Sequence, residues 1–137
     1  MTYEELNIVR NLKKKLEAEK QKLSALRESI TPATPKLNDL PRGTDTASPT
    51  EKLAMMMTDA ERKIARLNRR IESESLTLAN QIQSEVQDSK EQALLIHRYI
   101  NCKSFRDIGL VMGFSEGHIY FSHRRILKKL LVNVSQC

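Results

Sequence analysis

An all-α fold is predicted for this chain of 137 residues by three observations. Apolar residues recur at seven-residue spacing in two long stretches, the signature of a helix with one buried stripe. All four prolines fall in one short segment between those stretches, and only four glycines occur in the whole chain. Charged residues make up 29% and aromatics 4% with no Trp, a composition that fits long helices better than a sandwich or barrel. The length allows one domain, or one small domain with an extension.

The first helix is expected from about Thr2 to Ser29. Val9, Leu16, Leu23 and Ile30 recur every seven residues, with Leu12 and Leu26 at intervening seam positions and Glu19 breaking the pattern at the third. Lys13, Lys14 and Lys15 fall mostly on the flank of that stripe, as a solvated face or, alternatively, as a phosphate contact. Pro32, Pro35, Pro41 and Pro49, with Gly43 and several Thr, then mark an extended connector over residues 31–48. Ser48-Pro49-Thr50-Glu51 ends it with an N-cap Ser, a Pro at the first helical position and a Glu three residues after the cap. Together these form a capping box whose first φ is already set, so a helix starts there.

That second helix carries Met57, Ile64, Ile71 and Leu78 at heptad spacing, with Leu53, Ala60 and Leu67 between them. Reaching to about Glu85, it measures roughly 50 Å at 1.5 Å per residue. Beyond Leu67 the intervening positions turn polar at Glu74 and Gln81, so the seam is expected to weaken. Of Met55, Met56 and Met57, Met57 belongs to the seam and the other two to its exposed edge. Two amphipathic helices joined by a long connector fold back most simply as a long antiparallel, coiled-coil-like helical hairpin over residues 1–87. The same stripes also suit pairing between two chains, so a homodimer through the long helices is expected.

Residues 88–137 hold eight Lys/Arg against four Asp/Glu, whereas 49–87 hold six of each. Most of the net charge of +6 therefore sits in the last third of the chain, where phosphate binding would need it. Asp88 or Ser89 caps a short helix bearing Leu94, Leu95, Tyr99 and Ile100, and Asn101-Cys102-Lys103 makes a turn. Ser104, with Asp107 three residues on, caps the next helix. In it Ile108 and Met112 face inward one turn apart, and Gly109 between them marks an approach so close that only Gly or Ala fits. Gly113 suits a left-handed exit from that helix. Ser115 caps a final helix running to about Val132, with Ile119, Ile126 and Leu130 along its inner face. A tight turn holding two helices in this way is a helix-turn-helix, the unit that sets a helix into the DNA major groove.

Facing away on that final helix are Glu116, Gly117, Tyr120, Phe121, Arg124 and Lys128. The candidate DNA-binding residues are Ser115, Glu116, His118, Tyr120, Arg124, Arg125 and Lys128. Arg124 and Arg125 suit phosphate or base-edge contact, and Tyr120 suits a phosphate or a thymine methyl group. Lys128 and Lys129 lie beyond the groove-entering turns, as backbone contacts or plain surface.

His97-Arg98-Tyr99-Ile100, Ser104-Phe105-Arg106-Asp107-Ile108, Gly113-Phe114-Ser115 and His123-Arg124-Arg125-Ile126-Leu127-Lys128-Lys129-Leu130 resemble region 4 of bacterial sigma factors. The full layout resembles the small phage-encoded sigma factor region 4-like transcription regulators of Gram-positive bacteria, the RinA/ArpU type. Ser29-Ile30-Thr31-Pro32, Leu40-Pro41-Arg42-Gly43 and Ser48-Pro49-Thr50-Glu51 match the connector of that arrangement. The resemblance implies reading of promoter DNA, contact with RNA polymerase and control of phage or prophage late genes. The chain departs from the pattern at His97, Gly117, Phe121 and Ser122, where a leucine, a longer polar residue, a polar residue and an apolar residue are usual.

The leading expectation is a sequence-specific DNA-binding regulator acting on double-stranded DNA in the cytoplasm of a bacterial host cell. The other is a protein-interaction module that binds RNA polymerase or a host regulator without specific DNA readout. An enzyme is not expected: the sequence holds no Gly-rich phosphate loop, and Cys102 and Cys137 with His118 and His123 make no metal-ligand or catalytic spacing. No cofactor is expected. No apolar run reaches the roughly 18–20 residues that span a bilayer, and Met1-Thr2-Tyr3-Glu4-Glu5 is no signal peptide.

Overall fold

The computed structural model describes residues 1–30 and 48–135, with side chains through residue 131. The expected connector, apart from Ser48, and Cys137 lie outside the described residues. Every regular element described is helical: α1 (Tyr3–Leu6), α2 (Ile8–Ser29), α3 (Pro49–Glu85), α4 (Ser89–Tyr99), α5 (Phe105–Met112) and α6 (Glu116–Ser135). None of these helices is long and apolar enough to cross a membrane.

The helix starts follow from local side-chain chemistry. Glu51 N–H donates to Ser48 Oγ at 3.1 Å while Ser48 N–H donates to Glu51 Oε1 at 2.9 Å, so the capping box is closed. Thr2 and Glu5 close a second one at the start of α1. Asp88 accepts from Glu91 N–H and Ser104 from Asp107 N–H, which sets the first turns of α4 and α5. The expected single helix from Thr2 is interrupted at Asn7, whose side-chain amide donates to Tyr3 O at 2.9 Å. That bond offers the backbone an alternative to the helical ladder, and a short Asn is the residue type that makes it.

The chain divides into two compact units, residues 1–13 with 70–137, and residues 14–69. In the second unit Leu23, Leu26 and Ala60 are buried, and Glu19 pairs with Lys63 at 3.3 Å and Arg27 with Glu61 at 3.4 Å. Glu19, the break in the heptad, lies against two ammonium groups, Lys22 and Lys63. Hydrogen bonds and attraction from both outweigh desolvation and hold its carboxyl below the usual range. Met57 is half-buried while Met55 and Met56 are exposed, as the stripe implies.

The first unit has one apolar core. Leu6 and Val9 meet Leu78 and Ile82 of α3 and Val86 just beyond its end, together with Leu94, Leu95 and Tyr99 of α4, Ile108 of α5, and Ile119, Ile126 and Leu130 of α6. The seam of α3 therefore does not weaken beyond Leu67. It shifts onto the four-residue steps Leu78, Ile82 and Val86, which are almost fully buried. A straight helix of 3.6 residues per turn drifts off a seven-residue repeat, and here its last turns face a different set of neighbours. Gln81, a seam position by the heptad, is at the edge and donates to Glu5 Oε2 at 3.3 Å. At the end of α3 the Gln92 amide donates to Gln83 O at 3.5 Å and to Val86 O, one residue past the helix, at 2.6 Å.

Candidate functional site

The α5–α6 pair is built around two glycines. Gly113 adopts a left-handed conformation at φ 80° and ψ 31°, and its N–H donates to Gly109 O at 2.8 Å. Phe114 N–H donates to the same carbonyl at 2.9 Å, which folds the turn back over α5. A Cβ added at Gly109 would lie 2.5 Å from the backbone oxygen of Phe114 and 3.4 Å from the Ser115 carbonyl carbon. The expectation that Gly or Ala fits is therefore too generous, because the neighbour is rigid backbone and only Gly fits. The close partner is Phe114 of the turn, two residues ahead of α6.

Ser115 Oγ accepts from His118 N–H at 3.1 Å, so its hydroxyl caps α6 and Glu116 is the first helical residue. His118 is exposed and stacks on Phe114 with ring centroids 4.5 Å apart. Lys90 of α4 approaches the same Phe114 ring at 6.0 Å. Tyr120 is 43% exposed; its ring lies edge-on to Phe105 and to Phe121, each 5.7 Å away. The Arg124 guanidinium stands 5.8 Å from the centre of the Tyr120 ring, and Arg125 and Lys128 are exposed beside it. Ile119, Ile126 and Leu130 are buried on the opposite face.

Arg124, Arg125 and Lys128 thus come together with Phe121, Leu127 and Leu131 along an open groove of about 630 Å³ on α6. Ser115, Glu116 and His118 sit at the other end of the helix. His118 and Arg125 also flank a smaller cleft of about 130 Å³, lined by Leu94, Met112 and Ile119, with Ser122 beside them. Ser122 is 8% exposed, so it occupies a core position with a polar side chain. Among the described residues no salt bridge joins Arg124, Arg125 or Lys128 to a carboxylate, whereas Lys129 pairs with Glu91 at 3.8 Å.

Four residues make contacts that nothing in the sequence signals. His123, on the inner face of α6, is buried, and its Nε2 lies 2.6 Å from the Tyr99 hydroxyl. Burial, with Arg98 and Arg10 as lesser causes, pushes His123 down to about 4. Burial likewise pushes the Tyr99 phenol up to about 12, so the pair shares its hydrogen bond as two neutral groups. Arg98 lies 4.0 Å from the centre of the Phe105 ring and donates from Nη1 to Lys103 O at 3.1 Å. Lys13 is neither a plain solvated side chain nor free for phosphate: its ammonium donates to Ile100 O at 2.6 Å, at the end of α4.

These contacts set the orientation of α6. Tyr99 of α4 bonds to His123 on its inner face, and Phe105 of α5, covered by Arg98, meets Tyr120 and His123, while its outer line is exposed. The arrangement places Arg124, Arg125 and Lys128 and the Tyr120 ring on exposed positions of one helix. Among the described residues no three His, Cys, Asp or Glu side chains gather as a metal site. No known protein family, no curated relative and no solved structure matches this chain.

Proposed function

We propose that the chain is a sequence-specific DNA-binding transcription regulator, with α5 and α6 as a helix-turn-helix of the sigma region 4 type and α6 as the helix that enters the major groove. The observation that carries this reading is the coupling of a rigid turn to an unpaired cationic face. Gly109 and Gly113 fix the turn, Ser115 caps α6, and Arg124, Arg125 and Lys128 stand outward with no carboxylate partner among the described residues. Such cations on a helix held by its neighbours suit phosphate and base-edge contact.

In this reading Tyr120 and Arg124 contact the duplex together, and Arg125 and Lys128 meet the phosphate backbone. Ser115 serves first as the cap. Its hydroxyl oxygen can accept the His118 N–H and still donate to a phosphate. Glu116 and His118 face the edges of the groove. The segment 1–87 is an antiparallel helical hairpin, supported by the pairing of Glu5 with Gln81 in one unit and of Glu19 with Lys63 in the other. It carries the homodimer contact. In this proposal, which for these points rests on the sequence resemblance to phage-encoded regulators alone, the chain acts in a bacterial cytoplasm on phage or prophage late genes, with RNA polymerase as a partner.

Binding of double-stranded DNA across a salt series tests the reading. Affinity should fall steeply with salt, and Arg124→Ala with Arg125→Ala should flatten the slope by about one unit per phosphate contact removed. A slope unchanged by both substitutions overturns the assignment of these residues.

A second reading has its own observation. Leu110 and Val111 on α5 are 75% and 56% exposed and take no part in the DNA face. They suit a protein partner bound to the same unit. Recovery of a stoichiometric protein from nuclease-treated bacterial lysate, lost in Leu110→Ser, would favour that reading.

A further inference from the structure

Two residues on the outer line of α6 take no part in the buried core. Gly117 is the second residue of α6, and a Cβ added there would meet nothing within 4 Å. Phe121, one turn on, is 66% exposed, although an aromatic ring on a surface is held there at the cost of wetting an apolar disc. The two lie four residues apart and share a line with Arg124 and Lys128, opposite the buried Ile119 and Ile126.

The Phe121 ring is also seated. Tyr120 meets it edge-on, Phe105 meets Tyr120 edge-on, and Arg98 covers Phe105. It therefore presents a braced apolar face between cations, with an open stretch of backbone at Gly117 one turn before it. A complementary body is an apolar knob framed by anions that comes close to the helix backbone. In duplex DNA the thymine 5-methyl group in the major groove, flanked by phosphates, has that form.

We propose that Phe121 reads a thymine 5-methyl group and that Gly117 clears the space in which the helix backbone approaches that base. The inference rests on the DNA-binding reading above and adds a base preference to it. Arg124, Arg125 and Lys128 supply the phosphate frame, and the specificity comes from the apolar contact.

The test is a selection from a randomised duplex library with the full chain at about 150 mM salt, where loose electrostatic association is screened beyond about 8 Å. The enriched duplex is then remade with deoxyuridine in place of each thymidine in turn. At one thymidine the loss of the methyl group should weaken binding about fourfold, the worth of burying one such group. Phe121→Ser should lose the same factor on the thymidine duplex and be indifferent to deoxyuridine at that position. Gly117→Ala should keep its helical circular dichroism and bind the selected duplex several-fold more weakly. Indifference of the wild-type chain to deoxyuridine at every position overturns the proposal while leaving the DNA-binding reading intact. Full affinity of Phe121→Ser does the same. A selection that enriches no sequence overturns both.

Discussion

Alanine placed in turn at three glycines of the α5–α6 region should give three different results. At Gly109 the new Cβ meets the Phe114 oxygen at 2.5 Å, nearly 1 Å inside ordinary contact. The turn must retreat, which strains the bonds from Gly113 N–H and Phe114 N–H to the Gly109 carbonyl at 2.8 and 2.9 Å. Overpacking of this kind costs about 1–3 kcal/mol, and a weakened backbone hydrogen bond about 1 kcal/mol more. Better helix propensity returns about 1 kcal/mol, so the net loss is about 2 kcal/mol. At Gly113 the left-handed φ of 80° costs an L-residue about 1–2 kcal/mol. At Gly117, in the first turn of α6, there is open space and a helical backbone, and Gly117→Ala should gain at most about 1 kcal/mol. Urea unfolding followed by circular dichroism at 222 nm ranks the three, with the midpoint falling for Gly109 and Gly113 and rising for Gly117. Wild-type stability in Gly109→Ala, or a loss in Gly117→Ala, would refute the account of how this turn is held.

The remaining predictions concern the interior and the caps. His123 has a folded pKa depressed to about 4 from 6.5, so its contribution is fully present above pH 6.5 and is lost as pH falls toward 4. At 1.36 kcal/mol per unit the loss approaches about 3 kcal/mol, and His123→Phe should flatten the stability profile across that window. Tyr99→Phe leaves the imidazole without its 2.6 Å partner and should cost about 1–3 kcal/mol, measured by denaturant midpoint at pH 7. Ser104→Ala removes the acceptor of Asp107 N–H and should lower stability by about 1 kcal/mol in the same assay.

Much of the helical framework was legible because its determinants are local. Ser48, Asp88, Ser104 and Ser115 each bond to backbone three residues on, and Gly113 takes the one conformation that a helix exit favours for Gly. The inner line Ile119, Ile126, Leu130 and the outer line of Tyr120, Phe121 and Arg124 both follow from a 3.6-residue period. What escaped the sequence is contact between distant positions. Tyr99 and His123 are 24 residues apart, and Lys13 reaches a carbonyl 87 residues away. No periodicity signals either. The seam of α3 misled for a related reason: a heptad rule assumes one continuous partner, and Ile82 and Val86 are buried by α4–α6 and the first turns of the chain instead. Ser122 shows the converse, a polar residue carried at a buried position.

The most direct test of the central claim is capture of fragmented bacterial and phage genomic DNA by the purified chain, followed by sequencing. The account predicts enrichment of one or a few sites at about 150 mM salt, abolished by Arg124→Ala with Arg125→Ala in a chain that keeps its helical signal. Flat recovery across both genomes, or the same sites captured by the doubly substituted chain, would contradict it.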